Sequence, residues 1–231
     1  MQAKEIKDRL KLLIKEASII DPHLARRLDE INRWVKDVKP GSLTAKKFVL
    51  LFLEQTIRDA QVWLDIKALT SLEEQQAYYE HMTPTEKYWY CELLSNWLSQ
   101  DDPKFYIWRQ KLMAGEFTQS DADLIASIAN HIKQRSGTIV KRYIADLSMA
   151  TDIIVSNREQ KALCIQLTSV ADEFSQQKYN DWENTLRFWV IDRGLFLSYN
   201  PSTNDFVNQI VNVTLYNSDK FPAGKYLKFS L

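Results

Sequence analysis

Three runs of residues rich in valine, isoleucine and threonine follow one another in the second half of this 231-residue chain. They cover residues 138–144, 152–156 and 162–169, and β-branched residues between polar turns favour strands. Apolar and aromatic residues then recur every three or four positions over residues 175–189, which predicts a helix. A fourth extended run follows at residues 195–199. This order excludes an all-helical chain and predicts a mixed sheet.

Amphipathic segments flank these runs. An apolar stripe precedes the first run, and its three- and four-residue spacing predicts a helix. Its members are Leu124, Ile125, Ile128 and Ile132. Residues 205–216 predict another helix after the fourth run. The order is helix, three strands, helix, strand, helix, so we predict an α+β or α/β fold with a mixed sheet.

The first hundred residues follow a helical period throughout. Apolar residues recur every three or four positions in several segments. Thr83, Pro84 and Glu86 have the order of a capping box, which predicts that a helix begins there. The helical pattern changes to mixed elements near residue 115. We therefore predict a helical domain over residues 1–115 and a domain with the mixed sheet over residues 116–231.

The net charge does not indicate a partner, because 30 lysines and arginines balance 30 aspartates and glutamates. Binding to nucleic acid or to an acidic membrane surface would need a local patch. No segment of about 18 apolar residues indicates a membrane span, and the charged first residues lack the core of a signal peptide. We expect a cytoplasmic protein that does not enter membranes. The sequence does not specify its oligomeric state.

Several common active-site patterns are missing from the sequence. The two cysteines, Cys91 and Cys164, form no Cys-x-x-Cys pair, and the three histidines lack metal-ligand spacing. Five glycines provide no glycine-rich loop, which excludes P-loop and dinucleotide-binding sites. The strands of the second half hold the remaining candidates for chemistry.

The second and third runs carry a pattern of polar residues. Asp152 lies in TDIIV at residues 151–155, and Gln166 and Thr168 lie in LCIQLT at residues 163–168. Positions i and i+2 of a strand point to one face, so Gln166 and Thr168 project together. Together with the element order, this pattern resembles the PD-(D/E)xK nuclease superfamily. That resemblance implies a restriction-endonuclease-like αβββαβ core.

The resemblance covers about residues 118–216 and implies a site for phosphodiester hydrolysis. In the superfamily, an aspartate and a second acidic residue bind Mg²⁺ against the phosphate, and a lysine supports the attacking water. Asp152 matches the aspartate. Gln166 stands where the family has Asp or Glu, and Thr168 stands where it has Lys. A neutral amide can still ligate Mg²⁺, but its affinity for the ion should be lower.

Two further positions follow from the same resemblance. Some superfamily members supply the lysine from the next helix, which here contains Lys178. An acidic residue of the first helix can join the metal ligands, and Asp121 and Asp123 are the candidates. The predicted catalytic residues are therefore Asp152, Gln166, Thr168 and Lys178, and the predicted metal ligands are Asp152, Gln166 and Asp123.

Four basic residues surround the turn at Gly137, namely Lys133, Arg135, Lys141 and Arg142. In a nuclease-like fold such a patch would contact the phosphates of nucleic acid. The same residues also suit a solvated face, and the first two suit a helix C-terminus, where positive charge is favourable. Both interpretations stay open at this level.

The leading hypothesis is a metal-dependent nuclease-like domain that acts on or binds nucleic acid. The alternative is a non-catalytic protein that keeps the nuclease-type scaffold and binds a protein partner through its N-terminal helices. The neutral residues Gln166 and Thr168 fit that alternative. A third hypothesis, another α/β fold, applies if Asp152 and Gln166 do not lie side by side.

Overall fold

A computed structural model describes residues 3–37, 47–114, 122–169 and 172–231. The chain forms two compact units. Unit 1 consists of Met1–His81 and Trp97–Gln119, and unit 2 consists of Met82–Asn96 and Ser120–Leu231. The chain therefore enters unit 2 briefly, returns to unit 1, and then completes unit 2.

The described part of the chain before residue 115 is helical. The helices are α1 Ala3–Ile20, α2 Pro22–Asp37, α3 Lys47–Ala68, α4 Leu72–Glu80, α5 Pro84–Tyr88, α6 Leu94–Ser99 and α7 Phe105–Ala114, with a π-helical turn at Trp89–Leu93. The apolar stripes of α1 and α2 are buried, as Leu10 and Leu28 illustrate. Neither here nor elsewhere in the described residues is a helix long and apolar enough to cross a membrane.

A buried carboxylate links the aromatic residues of unit 1. Asp102 follows α6, and its Oδ2 accepts hydrogen bonds from the indole nitrogens of Trp97 at 3.1 Å and Trp108 at 3.2 Å. Its Oδ1 accepts from the backbone N–H of Lys104 at 2.9 Å. Asp102 therefore satisfies two indole donors that are buried in the core.

The segment Met82–Asn96 packs in unit 2, although its helical period assigns it to the predicted domain of residues 1–115. It begins with the predicted capping box, in which Glu86 N–H donates to Thr83 Oγ1 and Thr83 N–H donates to Glu86 Oε2 at 3.0 Å. Trp89 on its inner face is completely buried. The two compact units therefore do not follow the predicted boundary at residue 115. Helical periodicity identifies a helix, but it does not indicate which core buries that helix.

The described part of unit 2 is built on a five-stranded mixed sheet. Its elements are α8 Ala122–Gln134, β1 Thr138–Val140, α9 Tyr143–Met149, β2 Ile153–Ser156, β3 Leu163–Thr168, α10 Asp172–Phe188, β4 Arg193–Ser198, α11 Phe206–Lys220 and β5 Lys225–Ser230. The strands lie in sequence order. β1, β2 and β3 are antiparallel in turn, whereas β3, β4 and β5 are parallel. The predicted α+β fold with a mixed sheet is confirmed at this level.

Different helices pack on the two faces of the sheet. On the first face, Ile153 and Ile165 pack against apolar residues of α8 and α11. On the second face, α10 packs against β4. A Cβ added at Gly194 would lie 2.3 Å from Leu186 and 2.8 Å from Trp182. Glycine is therefore required where α10 approaches the sheet.

Two elements of unit 2 have no counterpart in the sequence analysis. The first run, predicted as a strand over residues 138–144, ends as a strand at Val140, and its last two residues belong to α9. Five of the seven residues of α9 are buried, so the helix lacks an amphipathic stripe. β5 pairs with β4 alone and carries two lysines, which is common for an edge strand.

Candidate functional site

The candidate site lies at one end of the sheet of unit 2. β3, β4 and β5 run parallel and finish there, while β2, antiparallel to β3, begins there. We call this the carboxyl end of the sheet. Asp152 directly precedes β2, and Gln166 and Thr168 lie in the second half of β3. The topology therefore brings these three predicted residues to the same end.

The short helix α9 directs the chain to Asp152. The helix ends at Met149 and is capped by Ala150, whose backbone is left-handed with φ 50° and ψ 49°, a conformation uncommon for residues other than glycine. Asp152 N–H then donates to Ile165 O at 2.9 Å. Because Ile153 is the register partner of Ile165, one further step places Asp152 opposite Gln166 on the neighbouring strand.

The Asp152 carboxylate accepts two hydrogen bonds from β3. Its Oδ2 lies 2.6 Å from the backbone N of Leu167 and 2.7 Å from Nε2 of Gln166. The side chain is half-buried, and the two donors hold the carboxylate in one orientation. The structure thus brings together the two side chains on which the functional hypothesis depends.

The amide nitrogen of Gln166 occupies a point between two oxygen acceptors. It lies 2.7 Å from Asp152 Oδ2 and 3.3 Å from the carbonyl oxygen of Leu167. Since both neighbours accept hydrogen bonds, the amide turns its donor side toward them. A hard cation would be attracted to the same oxygens, and rotation of the amide would present its own oxygen instead. Leu167 contributes only backbone atoms, so its side chain gives no signal of this role in the sequence.

The position of the signature lysine is neutral in this protein. Thr168 projects to the same face as Gln166 and lies in register with Ser198 on β4. Lys178 is exposed on α10, the helix that covers this face. Its contact with a substrate near Asp152 stays a prediction.

The acidic candidate of the first helix, Asp123, lies on α8, and its place among the metal ligands stays a prediction. Asp123 is exposed in the first turn of α8, whose Ile128 packs on the first face of the sheet, opposite to the face of Gln166. Asp121 lies outside the described residues. Within the described ranges, no group of three or more His, Cys, Asp or Glu side chains is arranged to hold a metal ion.

The four basic residues do not form one patch, because β1 separates them. β1 is antiparallel to β2, so it begins where β2 ends and finishes at the carboxyl end of the sheet. Lys133 and Arg135 precede β1, whereas Lys141 and Arg142 follow it. Since a strand rises about 3.3 Å per residue, Lys141 and Arg142 lie at the opposite end of β1 from Lys133 and Arg135. Only Lys141 and Arg142 lie at the same end as Asp152.

Two of these basic residues also have partners in unit 2. The Arg135 guanidinium donates to the side-chain oxygens of Asn208, at 3.2 Å, and of Asn212. The Arg142 guanidinium lies over the Trp89 ring, 5.8 Å from its centroid. Arg135 therefore fits the alternative interpretation, a residue that holds a helix end.

A buried thiol lies beneath the candidate site. Cys164 precedes Gln166 by two residues on the same face and is completely buried. Burial raises the pKa of Cys164 to about 12, against hydrogen bonds with Thr151 and Tyr88 that lower it. The thiol therefore stays protonated at neutral pH and cannot act as a nucleophile. Tyr88 belongs to Met82–Asn96, so this inserted segment contacts the strand that carries the candidate site.

In comparisons with protein-family models, curated proteins and solved structures, the chain matches none of them. The chemistry of the site therefore follows from its own atoms. A half-buried carboxylate, a backbone carbonyl and an amide that can present either nitrogen or oxygen converge at the carboxyl end of the sheet. Such a set can hold a hard divalent cation or a hydrogen-bond donor.

Proposed function

We propose that unit 2 is a restriction-endonuclease-like domain that binds nucleic acid and hydrolyses phosphodiester bonds with the help of Mg²⁺. The observation that carries the proposal is the pairing of Asp152 with Gln166 across β2 and β3. The order of the elements supports it, because three antiparallel strands are followed by a helix and a parallel fourth strand. With α9 inserted between β1 and β2, this order is compatible with the αβββαβ core that the sequence resemblance implies.

The acceptor atoms at the site are oxygens, which are the ligands that Mg²⁺ prefers. Asp152 Oδ2 and Leu167 O already face one point, and Gln166 Oε1 would become a third ligand after the amide rotates. These groups carry a single negative charge, so we expect weak binding that depends on the phosphate of the substrate for further ligands. When bound, the ion would polarise a phosphoryl oxygen and acidify a water molecule.

The side chains of the protein have distinct parts in this proposal. Asp152 supplies the charge that holds the cation, and Gln166 fixes its direction relative to β3. Lys178, exposed on the covering helix, would polarise the attacking water in place of the lysine that Thr168 replaces. The hydroxyl of Thr168 cannot supply positive charge, so we expect slow hydrolysis.

A non-catalytic function is the second candidate, and one observation favours it. The Gln166 amide donates its N–H to Asp152 Oδ2, so the positive end of a neutral side chain already occupies the place of a cation. A protein of this kind would keep the scaffold and bind nucleic acid or a protein partner, the latter through its N-terminal helices, without hydrolysis. Mg²⁺ would then have no measurable affinity for the site.

The direct test is cleavage of single- and double-stranded DNA and RNA in the presence of Mg²⁺ or Mn²⁺. We expect metal-dependent cleavage that falls by a factor on the order of 100 in Asp152→Ala, because the charged member of the Asp152–Gln166 pair is lost. Asp181→Ala is the matched control, since Asp181 is an exposed aspartate of α10. Cleavage that is absent, or equal in Asp152→Ala and Asp181→Ala, would contradict the catalytic proposal.

Calorimetry with Mg²⁺ separates the two candidates when no cleavage is found. Heat of binding that disappears in Asp152→Ala would mean that the cation site exists although the protein does not hydrolyse nucleic acid. If neither heat nor cleavage is detected, the non-catalytic candidate is favoured.

A further inference from the structure

Thr151, the residue before Asp152, is fixed by hydrogen bonds of both its backbone and its side chain. It is completely buried. Its N–H donates to Ala145 O at 3.1 Å, and its hydroxyl donates to Met149 O at 3.3 Å. Ala150, whose backbone is left-handed, lies between Met149 and Thr151. The two bonds of Thr151 therefore hold the turn through which the chain passes from α9 to Asp152.

The Thr151 hydroxyl also contacts the buried thiol beneath the candidate site. Cys164 forms hydrogen bonds with the side chains of Thr151 and Tyr88. A hydroxyl and a thiol each donate one hydrogen, and the Thr151 hydroxyl donates its hydrogen to Met149 O. The Cys164 S–H therefore donates to Thr151, and the Tyr88 O–H donates to the sulfur. These groups form a chain of hydrogen bonds from the inserted segment Met82–Asn96 to the end of α9.

The contacts of the Asp152 carboxylate depend on the place of this turn. Its Oδ2 lies 2.6 Å from Leu167 N and 2.7 Å from Gln166 Nε2. Asp152 precedes β2, so the strand fixes its backbone on the C-terminal side and Thr151 fixes it on the N-terminal side. A hydrogen bond weakens steeply when its angle departs from linear. A small shift of Thr151 would therefore weaken both contacts of the carboxylate.

We infer that Thr151 is a positioning residue of the candidate site, and that the hydrogen-bond chain from Tyr88 through Cys164 holds it in place. The inference rests on the proposed function for the chemistry of the site, and it adds the residues that set the geometry of Asp152. Thr151 is completely buried, so it acts through Asp152 and not on a substrate. Through Tyr88, the inserted segment contributes to the geometry of the site.

Amide hydrogen exchange, measured by NMR on the full-length protein, tests this inference without a cleavage assay. The backbone N–H of Leu167 donates to Asp152 Oδ2, so its exchange rate reports on the position of the carboxylate. In Thr151→Val we expect this amide to exchange about five- to tenfold faster relative to the amides of β4. Thr151→Ser keeps the hydroxyl and should keep the wild-type rate. Tyr88→Phe should accelerate exchange by about twofold, because a thiol is a weak hydrogen-bond partner.

Ser218→Ala is the matched control for the loss of a buried hydroxyl in unit 2. The Ser218 side chain is also completely buried, and it donates to a backbone carbonyl, Leu215 O, at 2.9 Å. It belongs to α11, the helix that packs on the first face of the sheet. Its substitution should destabilise unit 2 as a whole, without a selective change at Leu167.

The outcomes separate this inference from the proposed function. Selective acceleration at Leu167 in Thr151→Val, but not in Thr151→Ser or Ser218→Ala, supports the inference whether or not the protein cleaves nucleic acid. If Leu167 is unchanged, or if all amides of unit 2 accelerate equally, the inference is overturned. Should Thr151→Val fail to fold, Tyr88→Phe decides in the same way, because it removes the first donor of the chain and keeps the ring.

Cleavage assays address the proposed function separately. Where the wild type cleaves nucleic acid, Thr151→Val should lower kcat severalfold and leave KM unchanged, because the variant displaces Asp152 without removing a contact to the substrate. Absence of cleavage by the wild type would overturn the catalytic proposal and leave the result of hydrogen exchange in place.

Discussion

Asp102 in unit 1 and Asp152 in unit 2 are both held by hydrogen bonds to carboxylate oxygens, but their donors differ in kind. Asp102 is 8% exposed and accepts from the indoles of Trp97 and Trp108. Asp152 is half-buried, and its side-chain donor is the amide of Gln166. An indole has only a donor to offer, whereas an amide carries a donor and an acceptor on the same group.

The difference decides which carboxylate can change partners. Both indoles belong to almost completely buried tryptophans, Trp97 and Trp108, so close packing fixes their N–H groups in place. The amide of Gln166 can exchange nitrogen for oxygen by one rotation of its terminal bond, without moving the strand. We therefore expect Asp102 to contribute to stability, whereas the cation site proposed at Asp152 requires the rotation that the amide of Gln166 allows.

The largest effect on stability is expected for Asp102→Ala. This substitution leaves two buried indole donors and a backbone N–H without their acceptor, and we expect a loss of about 3 kcal/mol in the free energy of unfolding. The adjacent residue offers the control, because the side chain of Asp101 is 92% exposed and pairs with Arg26 at 3.3 Å on the surface. Asp101→Ala should cost far less. Equal losses in urea denaturation would show that the indole contacts of Asp102 do not stabilise unit 1.

A smaller loss is expected for Asp152→Ala, about 1.5 kcal/mol, because solvent can replace the carboxylate as acceptor for Gln166 and for Leu167 N–H. The measurement is urea denaturation followed by far-UV circular dichroism, with Asp181→Ala as the surface control. A loss as large as that of Asp102→Ala would mean that Asp152 is a structural residue. In that case the reduced cleavage of the variant could not be attributed to a missing metal ligand.

Much of unit 2 could be predicted from local patterns. β-branched runs identified β1, β2 and β3, a fourth extended run identified β4, and the three- and four-residue spacing identified α8, α10 and α11. The missing elements have specific causes. α9 is buried on most sides and β5 carries lysines at an edge, so neither shows the period of its class. Met82–Asn96 belongs to unit 2 because of the packing of Trp89 and Tyr88. The spacing of apolar residues along the sequence does not predict which core this packing joins.

Local patterns also predict part of the candidate site. Strand alternation places Gln166 and Thr168 on one face, and an antiparallel neighbour brings Asp152 beside them. Sequence spacing cannot show that the amide of Gln166 turns its nitrogen to Asp152, since that depends on two acceptors from different strands. It also cannot show that β1 divides the basic residues between the two ends of the sheet, because their spacing in sequence is short.

The smallest expected effect on stability is that of Gln166→Glu, which tests whether Asp152, unlike Asp102, can exchange its hydrogen-bond donor for a cation. The substitution replaces the donor to Asp152 with a second carboxylate. Two adjacent carboxylates repel each other, and we expect a loss of about 1 kcal/mol at neutral pH in EDTA. Repulsion raises the pKa of one carboxyl in the folded state, so the loss should be present above that pKa and disappear as the pH falls through it. Mg²⁺ should restore stability at neutral pH, because the cation binds the folded pair.

Gln177→Glu separates this effect from a simple change of net charge, since Gln177 is exposed on α10. Thermal unfolding at pH 7.5 and at pH values near 5, with and without Mg²⁺, should change little in that control. If Gln166→Glu is as stable as the wild type in EDTA and gains nothing from Mg²⁺, the side chains at positions 152 and 166 do not share a cation-binding point. Gln166 would then be a fixed structural partner of Asp152, just as Trp97 and Trp108 are of Asp102, and the proposed catalysis would lose its basis.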